Sequence, residues 1–439
     1  MSNIILSRRR LIHSISLASL GLSTPLWLSG CAVDPITGKP TLMMLSEDDE
    51  VAIDQQQTPL QFSADYGVSQ DAALNQYVSQ LGRGIHARSH RPNMPYNYQV
   101  VNANYVNAYA FPGGSIAVTR GILLELESEA ELAALLGHEI GHVTARHSAA
   151  RMTQGMLAQA AVGTAVAGLG DSALGGAVGM VGQIGAGALL ARYSRDNERQ
   201  ADQLGMDYMV LADHNPKGMV ELMDMLRSLS SRKPNAIELM FSSHPMSDER
   251  YANVQAQYGG LSASVKSRSE GRERYMDMTA RVRALKPAIE AMQEGERLLA
   301  QNEPTQAESR LLDAERLAPN DYTGLVLCGK FYLMQEREQR AVEYFDRARA
   351  AYPGEGQAIQ YRGLAHLGLK QFGAAREDFL AYEAVLPGNP GTDFLIGYTH
   401  DQEGERPAAA QRYQAFLGRV QQGEQAEYAY ARLAEWGYI

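Results

Sequence analysis

From residue 288 onward the chain repeats itself every 34 residues, and a period of that length dictates stacked helix pairs before any single side chain is interpreted. Gly295, Gly329, Gly363 and Gly397 recur at that interval, as do Ala307, Ala341, Ala375 and Ala409. Leu311, Phe345, Phe379 and Tyr413 keep the same step, and so do Pro319, Pro353 and Pro387, with Gln421 breaking the series. Gly and Ala let paired helices approach, and Pro ends the second helix of each pair. Each unit buries its apolar face only against the next, so an all-α solenoid is expected over 288–439, with Glu424 to Trp436 capping the last repeat. Arrays of this kind present a concave surface to protein segments; the plainer reading is a brace for the rest of the chain.

Upstream, His138-Glu139-Ile140-Gly141-His142 places two imidazoles four residues apart with a carboxylate beside the first. Four helical residues advance about 400°, so both rings leave one face, one above the other. That suits Zn²⁺, which takes imidazole nitrogen at roughly 2.0–2.1 Å and, in catalytic sites, three protein ligands plus an open position for water. Glu139 then stands beside that water as general base. The bland alternative is a solvated pair of histidines. Against it, Ser128-Glu129-Ala130-Glu131 reads as a capping box, and Leu132, Leu135, Leu136, Ile140 and Val143 continue as an apolar stripe, so the histidines fall on a buried helix. An unliganded polar pair there would be costly.

A third ligand sorts the zinc peptidases. Ser148 stands where an extended motif would need a third histidine, His147 is one residue early, and Ala145 replaces the helix-breaking Gly. The competing pattern is a Glu on a second helix, with an Asp four residues later that orients a ligand histidine. Glu198-Arg199-Gln200-Ala201-Asp202 supplies it, on a helix begun at Ser194 or Asp196 and continued by Leu204, Tyr208 and Leu211.

With these residues the chain resembles the gluzincin metallopeptidases of the CAAX prenyl endopeptidase family, in their soluble periplasmic branch. The stretches that carry the resemblance are Asn107 to Gly114, Gly137 to His147, Tyr193 to Asp202, Ser243-His244-Pro245 and Asp248-Glu249-Arg250. The resemblance implies His138, His142 and Glu198 as ligands of one Zn²⁺, and a catalytic set of Glu139 as base, Asp202 as the acid orienting a ligand, and His244 near the metal. It also identifies the 34-residue units as tetratricopeptide repeats. His244 has three readings: a donor to the oxyanion of peptide hydrolysis, an occupant of zinc's open position that keeps the enzyme latent, or a His-Pro that merely shapes a turn. Arg250 is a second candidate for charge stabilisation, or simply a solvated cation or ion-pair partner.

Before the motif helix, Tyr96 to Val101 and Ser115 to Thr119 alternate like strands, with Phe111-Pro112-Gly113-Gly114 as a turn. An edge strand beside a metal cleft can bind an extended peptide through its main chain. An ordinary hairpin packed on the helix is the alternative.

Arg8-Arg9-Arg10 followed by an apolar run to Leu28 and then Leu28-Ser29-Gly30-Cys31 reads as a signal sequence closed by a lipobox. The resemblance to bacterial lipoproteins implies cleavage before Cys31 and its acylation, and Ala32 after it resembles those sorted to the outer membrane. A signal anchor is the alternative, and Sec and twin-arginine export both fit the basic start. Several acyl chains, at about 0.8 kcal/mol per buried methylene, anchor stably without spanning. Cys328 is then the one remaining partner for Cys31, so no intramolecular disulfide is expected. Removing residues 1–30 takes the formal charge from −10 to −13, a balance poorly suited to nucleic-acid backbones.

Gly155 to Ala191 is rich in Gly, Ala, Val, Leu and Met with Asp171 as its sole charge. Its repeated glycines favour a small-residue hairpin or a flap over the cleft above a membrane span. The expected architecture is an α+β zinc metallopeptidase domain over 31–265, mostly helical with a small edge sheet, a linker helix over 266–287 with a solvated charge run, and four tetratricopeptide repeats plus a capping helix over 288–439. The expected function is endoproteolysis of misfolded or misassembled envelope proteins at the periplasmic face of the outer membrane, with the repeats recruiting substrate or assembly machinery. The alternative is a lipoprotein scaffold or chaperone with a latent metal site.

Overall fold

The computed structural model describes residues 32–155, 193–232, 240 and 242–439. The expected signal sequence, the expected lipidation site Cys31 and the Gly/Ala-rich stretch beyond Gly155 lie outside the described residues. Among the described residues no helix is long and apolar enough to cross a membrane.

Strands β1 (Ala32–Val33) and β2 (Pro40–Thr41) pair antiparallel and lead into α1 (Glu47–Ala64), where Ser46 and Asp49 form a capping box. Helix α2 (Ala72–His86) buries Leu74, Val78, Leu81 and Ile85 on one stripe against the sheet. That sheet has β3 (Asn97–Val101), β4 (Ala108–Ala110) and β5 (Ser115–Thr119) in the order β3-β5-β4, with β3 parallel and β4 antiparallel to β5. This corrects one expectation. The two alternating runs are strands, but Ser115 to Thr119 is central, and the edge strand beside the motif helix is Ala108–Ala110. Three residues, all buried, are too few to display alternation. The Phe111–Gly114 turn forms as expected, and Gly114 holds a φ of 106° that favours glycine.

After α3 (Arg120–Leu123) comes the motif helix, α4 (Glu129–Thr144). Ser128 caps it by accepting from the Glu131 amide at 3.1 Å, but the Glu131 carboxylate accepts from the Glu127 amide rather than closing the box on Ser128. From Ala130 to Thr144 every residue is buried, because α2, β4, α5 (Arg195–Leu211) and α6 (Lys217–Arg232) pack around it. Helix α5 starts at Ser194, in a capping box with Asn197. Leu204 and Tyr208 are buried, whereas Leu211, at the last position, is 58% exposed and leaves the packed face.

Helices α4 and α5 cross through glycine. A Cβ on Gly137 would meet the Gly205 carbonyl oxygen at 2.8 Å, one on Gly205 the His138 nitrogen at 2.7 Å, and one on Gly141 the Ala201 carbonyl oxygen at 2.9 Å. The two backbones therefore touch directly, which carries Glu198 onto the face bearing His138 and His142.

Helix α7 (Asp248–Gly260), capped by Ser247, closes this half. The connection is not one solvated helix but three short ones, α8 (Ala263–Lys266), α9 (Arg272–Met278) and α10 (Ala280–Ala284). Tyr275 is buried beneath α4 and donates to the Leu123 carbonyl at 2.7 Å, so the segment is partly packed despite its charge run.

The repeats follow as helix pairs: α11 (Lys286–Ala300) with α12 (Pro304–Leu317), α13 (Tyr322–Met334) with α14 (Glu338–Ala351), α15 (Gly356–Gly368) with α16 (Phe372–Val385), and α17 (Pro390–Gln402) with α18 (Arg406–Leu417). Within each pair the periodic glycine faces the periodic bulky residue. A Cβ would lie 2.9 Å from Leu311 at Gly295, 2.5 Å from Phe345 at Gly329, 2.6 Å from Phe379 at Gly363 and 2.8 Å from Tyr413 at Gly397. Ala307, Ala341, Ala375 and Ala409 are fully buried. Helix α19 (Glu424–Glu435) covers the last pair with Ala426, Ala429 and Leu433.

The solenoid is docked on the first half. Arg120 forks onto Asp321 at 2.6 and 3.0 Å, Thr323 donates to the Asn102 carbonyl at 3.0 Å, and Gln293 to that of Asn104 at 2.6 Å. Tyr66 is buried in the same core as Met292 and Leu325, and Gln357 donates to the carbonyls of Ser63 and Ala64.

Candidate metal centre

Helix α4 presents His138 and His142 with their Nε2 atoms 3.1 Å apart. Glu198 on α5 brings Oε1 to 3.2 Å from His142 Nε2 and Oε2 to 3.6 Å from His138 Nε2. His244, in the bend before α7, brings Nδ1 to 3.3 Å from His138 Nε2 and 3.1 Å from Glu198 Oε1. One donor atom from each of the four residues lies within 4.8 Å of every other, and all four residues are buried.

These spacings test the metal directly. Two ligands held tetrahedrally at about 2.0–2.1 Å stand about 3.3–3.4 Å apart, and the His138–His142, His138–His244, His142–Glu198 and His244–Glu198 separations of 3.1, 3.3, 3.2 and 3.1 Å are close to that spacing. Three imidazoles and a carboxylate are also the donor chemistry zinc selects. The residues present therefore fit Zn²⁺, and the four donors could hold it. Glu139 points into the same space. It is fully buried, its Oε1 is 3.9 Å from His244 Nε2, and among the described residues neither carboxylate oxygen has a hydrogen-bond partner.

The ligands are themselves held. His138 Nδ1 meets Asp202 Oδ1 at 2.9 Å, one helical turn along α5 from Glu198. Arg250, only 2% exposed, donates through Nε to Asp202 Oδ2 and through Nη2 to Asp202 Oδ1, both at 2.7 Å, and its Nη1 lies 2.7 Å from Glu198 Oε2. Of the readings open for Arg250, the structure selects the ion-pair partner, but a buried one that joins both acids of the second motif.

Two contacts escaped the sequence reading. His147, weighed there only as a misplaced ligand, stands behind the centre with Nδ1 2.9 Å from His142 Nδ1 and Nε2 3.0 Å from Gln200 Oε1. Tyr193 stacks on His142 with ring centroids 3.9 Å apart, its hydroxyl 2.9 Å from Ser148 Oγ. Neither lies at a ligand spacing; the one available signal was their place inside the motif stretches.

Burial dominates the electrostatics. It pushes Glu139 above the usual carboxylate range, only partly offset by His244 and His138. It also drives His142 well below the usual imidazole value and His147 down to about 4. On His138 burial acts the same way, but the Asp202 hydrogen bond and the charges of Glu198 and Asp202 overcome it and raise the ring. Burial likewise opposes the Glu198 charge, yet His244, His142 and His138 hold that carboxyl well below its ordinary value.

The model of peptidase family M48 matches residues 72–257, a span that contains every residue of this centre. The putative beta-barrel assembly-enhancing protease of Vibrio cholerae serotype O1 is 32% identical over 192 residues, 42% of this chain and 39% of that one. Metalloprotease YcaL of Escherichia coli is 29% identical over 48% of this chain and 80% of its own. Metalloprotease LoiP of Escherichia coli is 30% identical over 42% of this chain and 71% of its own. The chain thus spans about two fifths of the length of the beta-barrel assembly-enhancing protease it matches. Among solved structures, MamA from Desulfovibrio magneticus RS-1 is similar at a TM-score of 0.31 and 20% identity, over 34% of this chain and 92% of that one. With a buried donor set that fits zinc inside the matched span, and metalloprotease LoiP 30% identical over 71% of its own length, this chain belongs to peptidase family M48.

Proposed function

We propose that this chain is a zinc-dependent endopeptidase that degrades misfolded or misassembled envelope proteins at the periplasmic face of the outer membrane, tethered through Cys31. The observation that carries the reading is the buried cluster of His138, His142, Glu198 and His244 with the Glu139 carboxylate beside it, free of hydrogen bonds among the described residues. The names of the relatives support the setting. The same reading divides the chain into a peptidase part to residue 265, a connection over 266–287 and repeats from 288, the repeats recruiting substrate or assembly machinery.

When bound, zinc would polarise the scissile carbonyl and acidify the attacking water. The remaining work falls to side chains. Glu139, whose burial makes it a stronger base than an exposed Glu, takes the proton of the attacking water and delivers it to the leaving amine. Asp202 holds His138 with its Nε2 turned to the metal, and Arg250 fixes both Asp202 and Glu198. The exclusion of solvent around these groups strengthens each of those interactions.

A second reading, a scaffold with a latent site, draws on one contact. His244 Nδ1 is placed among the other donors, and as a fourth ligand it would compete with a peptide for the metal and favour latency. The test is degradation of unfolded and folded proteins with and without a chelator. Chelator-sensitive cleavage supports the peptidase, and binding without cleavage supports the scaffold. Glu139→Gln is expected to keep zinc and lose about 10²–10⁴-fold in cleavage rate; undiminished cleavage by this variant would overturn the mechanism.

A further inference from the structure

We infer that His147 is a positioning residue for the metal: its Nδ1 accepts a hydrogen bond from His142 Nδ1–H, its Nε2–H donates one to Gln200 Oε1, and so His142 Nε2 is kept bare for zinc. The inference rests on the metal reading above and deepens it.

His142 turns Nε2 toward Glu198 and His138, at 3.2 and 3.1 Å, and a nitrogen that binds a cation carries no hydrogen. The proton of the neutral ring then sits on Nδ1, and the atom facing it is His147 Nδ1, 2.9 Å away. Two ring nitrogens at that distance share one hydrogen. His147 Nδ1 is therefore the acceptor, and its proton lies on Nε2, opposite Gln200 Oε1 at 3.0 Å. The reversed pattern, with the Gln200 amide group as donor, would leave His142 presenting an N–H to the other ligands. The chain Gln200–His147–His142 has one arrangement that admits zinc.

The backbone is bent to make this contact. On an unbroken helix a residue five positions after His142 would lie about 140° around the axis from it. Helix α4 stops at Thr144, and Arg146 takes a φ of 55°, in the left-handed region that a long side chain rarely adopts. The residues from 147 to 155 are helical again, so the kink swings His147 back beneath His142. Arg146 is locked there by Glu50, at 3.1 Å, and by the Leu45 carbonyl, at 2.7 Å. Ala145 stands where a related motif carries a helix-breaking Gly, and the break occurs regardless, one residue later at Arg146 and without glycine. His147 is 3% exposed, so both ring nitrogens face protein partners more than solvent. The two ligand histidines are thus backed differently, His138 by a carboxylate and His142 by a neutral imidazole.

The test is zinc affinity of the purified chain, measured by competition with a chromophoric chelator. His147→Leu removes the acceptor and is expected to weaken zinc by about 10–100-fold. His147→Asn, whose Oδ1 replaces Nδ1, is expected to recover most of that loss, and Gln200→Leu, at the far end of the chain, to show a smaller loss. Thermal midpoints of the chelated proteins separate positioning from folding: a purely structural His147 would lower them equally in His147→Leu and His147→Asn, with no rescue of affinity. His147→Leu binding zinc as tightly as the unaltered chain, or His147→Asn binding no better than His147→Leu, would overturn the inference. Failure of the unaltered chain to take up zinc would instead overturn the metal reading on which it rests.

Discussion

Arg250 shows how much of the centre is charge control. Its guanidinium reaches both Glu198 and Asp202 and ties the two acids of the second motif together. Glu139 lacks such a partner, and burial raises its carboxyl above the ordinary value of 4.5. Since the ionised form accepts the proton, kcat/KM should fall as pH drops through a limb lying above 4.5, and that limb should vanish from the residual activity of Glu139→Gln. The sign for stability is opposite: a raised carboxyl binds its proton more tightly folded than unfolded, so its contribution declines as pH rises from 4.5 through the raised value. A pH profile of cleavage, with denaturant curves of the chelated protein, checks both directions. His138, Glu139 and His142 were legible because helical spacing is a one-dimensional signal, and Glu198 and Asp202 because their four-residue step completes a known chemistry. Arg250 was legible as a candidate, with its ion-pair reading among the alternatives; His147 and Tyr193 were not, since each meets the His142 ring from outside the helical step, and no period marks such a contact.

At the scale of elements, the crossing of α4 and α5 sets the ligand geometry. Gly205 touches His138 through backbone alone, so Gly205→Val must push the helices apart, although no ligand changes. Overpacking of this kind is expected to lower stability by about 1–3 kcal/mol and, by moving Glu198 away from the other donors, to weaken zinc at least as much as His147→Leu. Denaturant midpoints and chelator competition measure the two effects; unaltered zinc affinity would detach the crossing from the site. The start of α5 at Ser194 and the glycine-to-aromatic register of the repeats could be read directly, because caps and packing pairs are local or periodic. The edge strand could not, since Ala108–Ala110 owes its conformation to pairing with β5 rather than to its own pattern.

For the molecule as a whole, the repeats pack against the first half through the seam of Arg120 and Asp321, a contact that either a brace or a recruiting surface would make. Asp321 is central to that seam. Burial pushes its carboxyl upward, but Arg120 holds it below the ordinary 3.8, so its contribution is present above that value and is lost as pH falls through the depressed one. Asp321→Ala should lower stability by about 3–5 kcal/mol at neutral pH, because Arg120 would be left buried without its counter-ion. The double replacement of Arg120 by Met and Asp321 by Leu should recover much of this, and a denaturant series on the three variants measures it.

The same seam bears on how this protein can be dissected in the laboratory. Severing the polypeptide ahead of residue 288 would uncover Tyr66, Met292 and Leu325 on raw surfaces and strand Arg120 from Asp321. An isolated C-terminal fragment would then be sticky for reasons unrelated to biology, and anything it captured would have to be shown again with the undivided polypeptide.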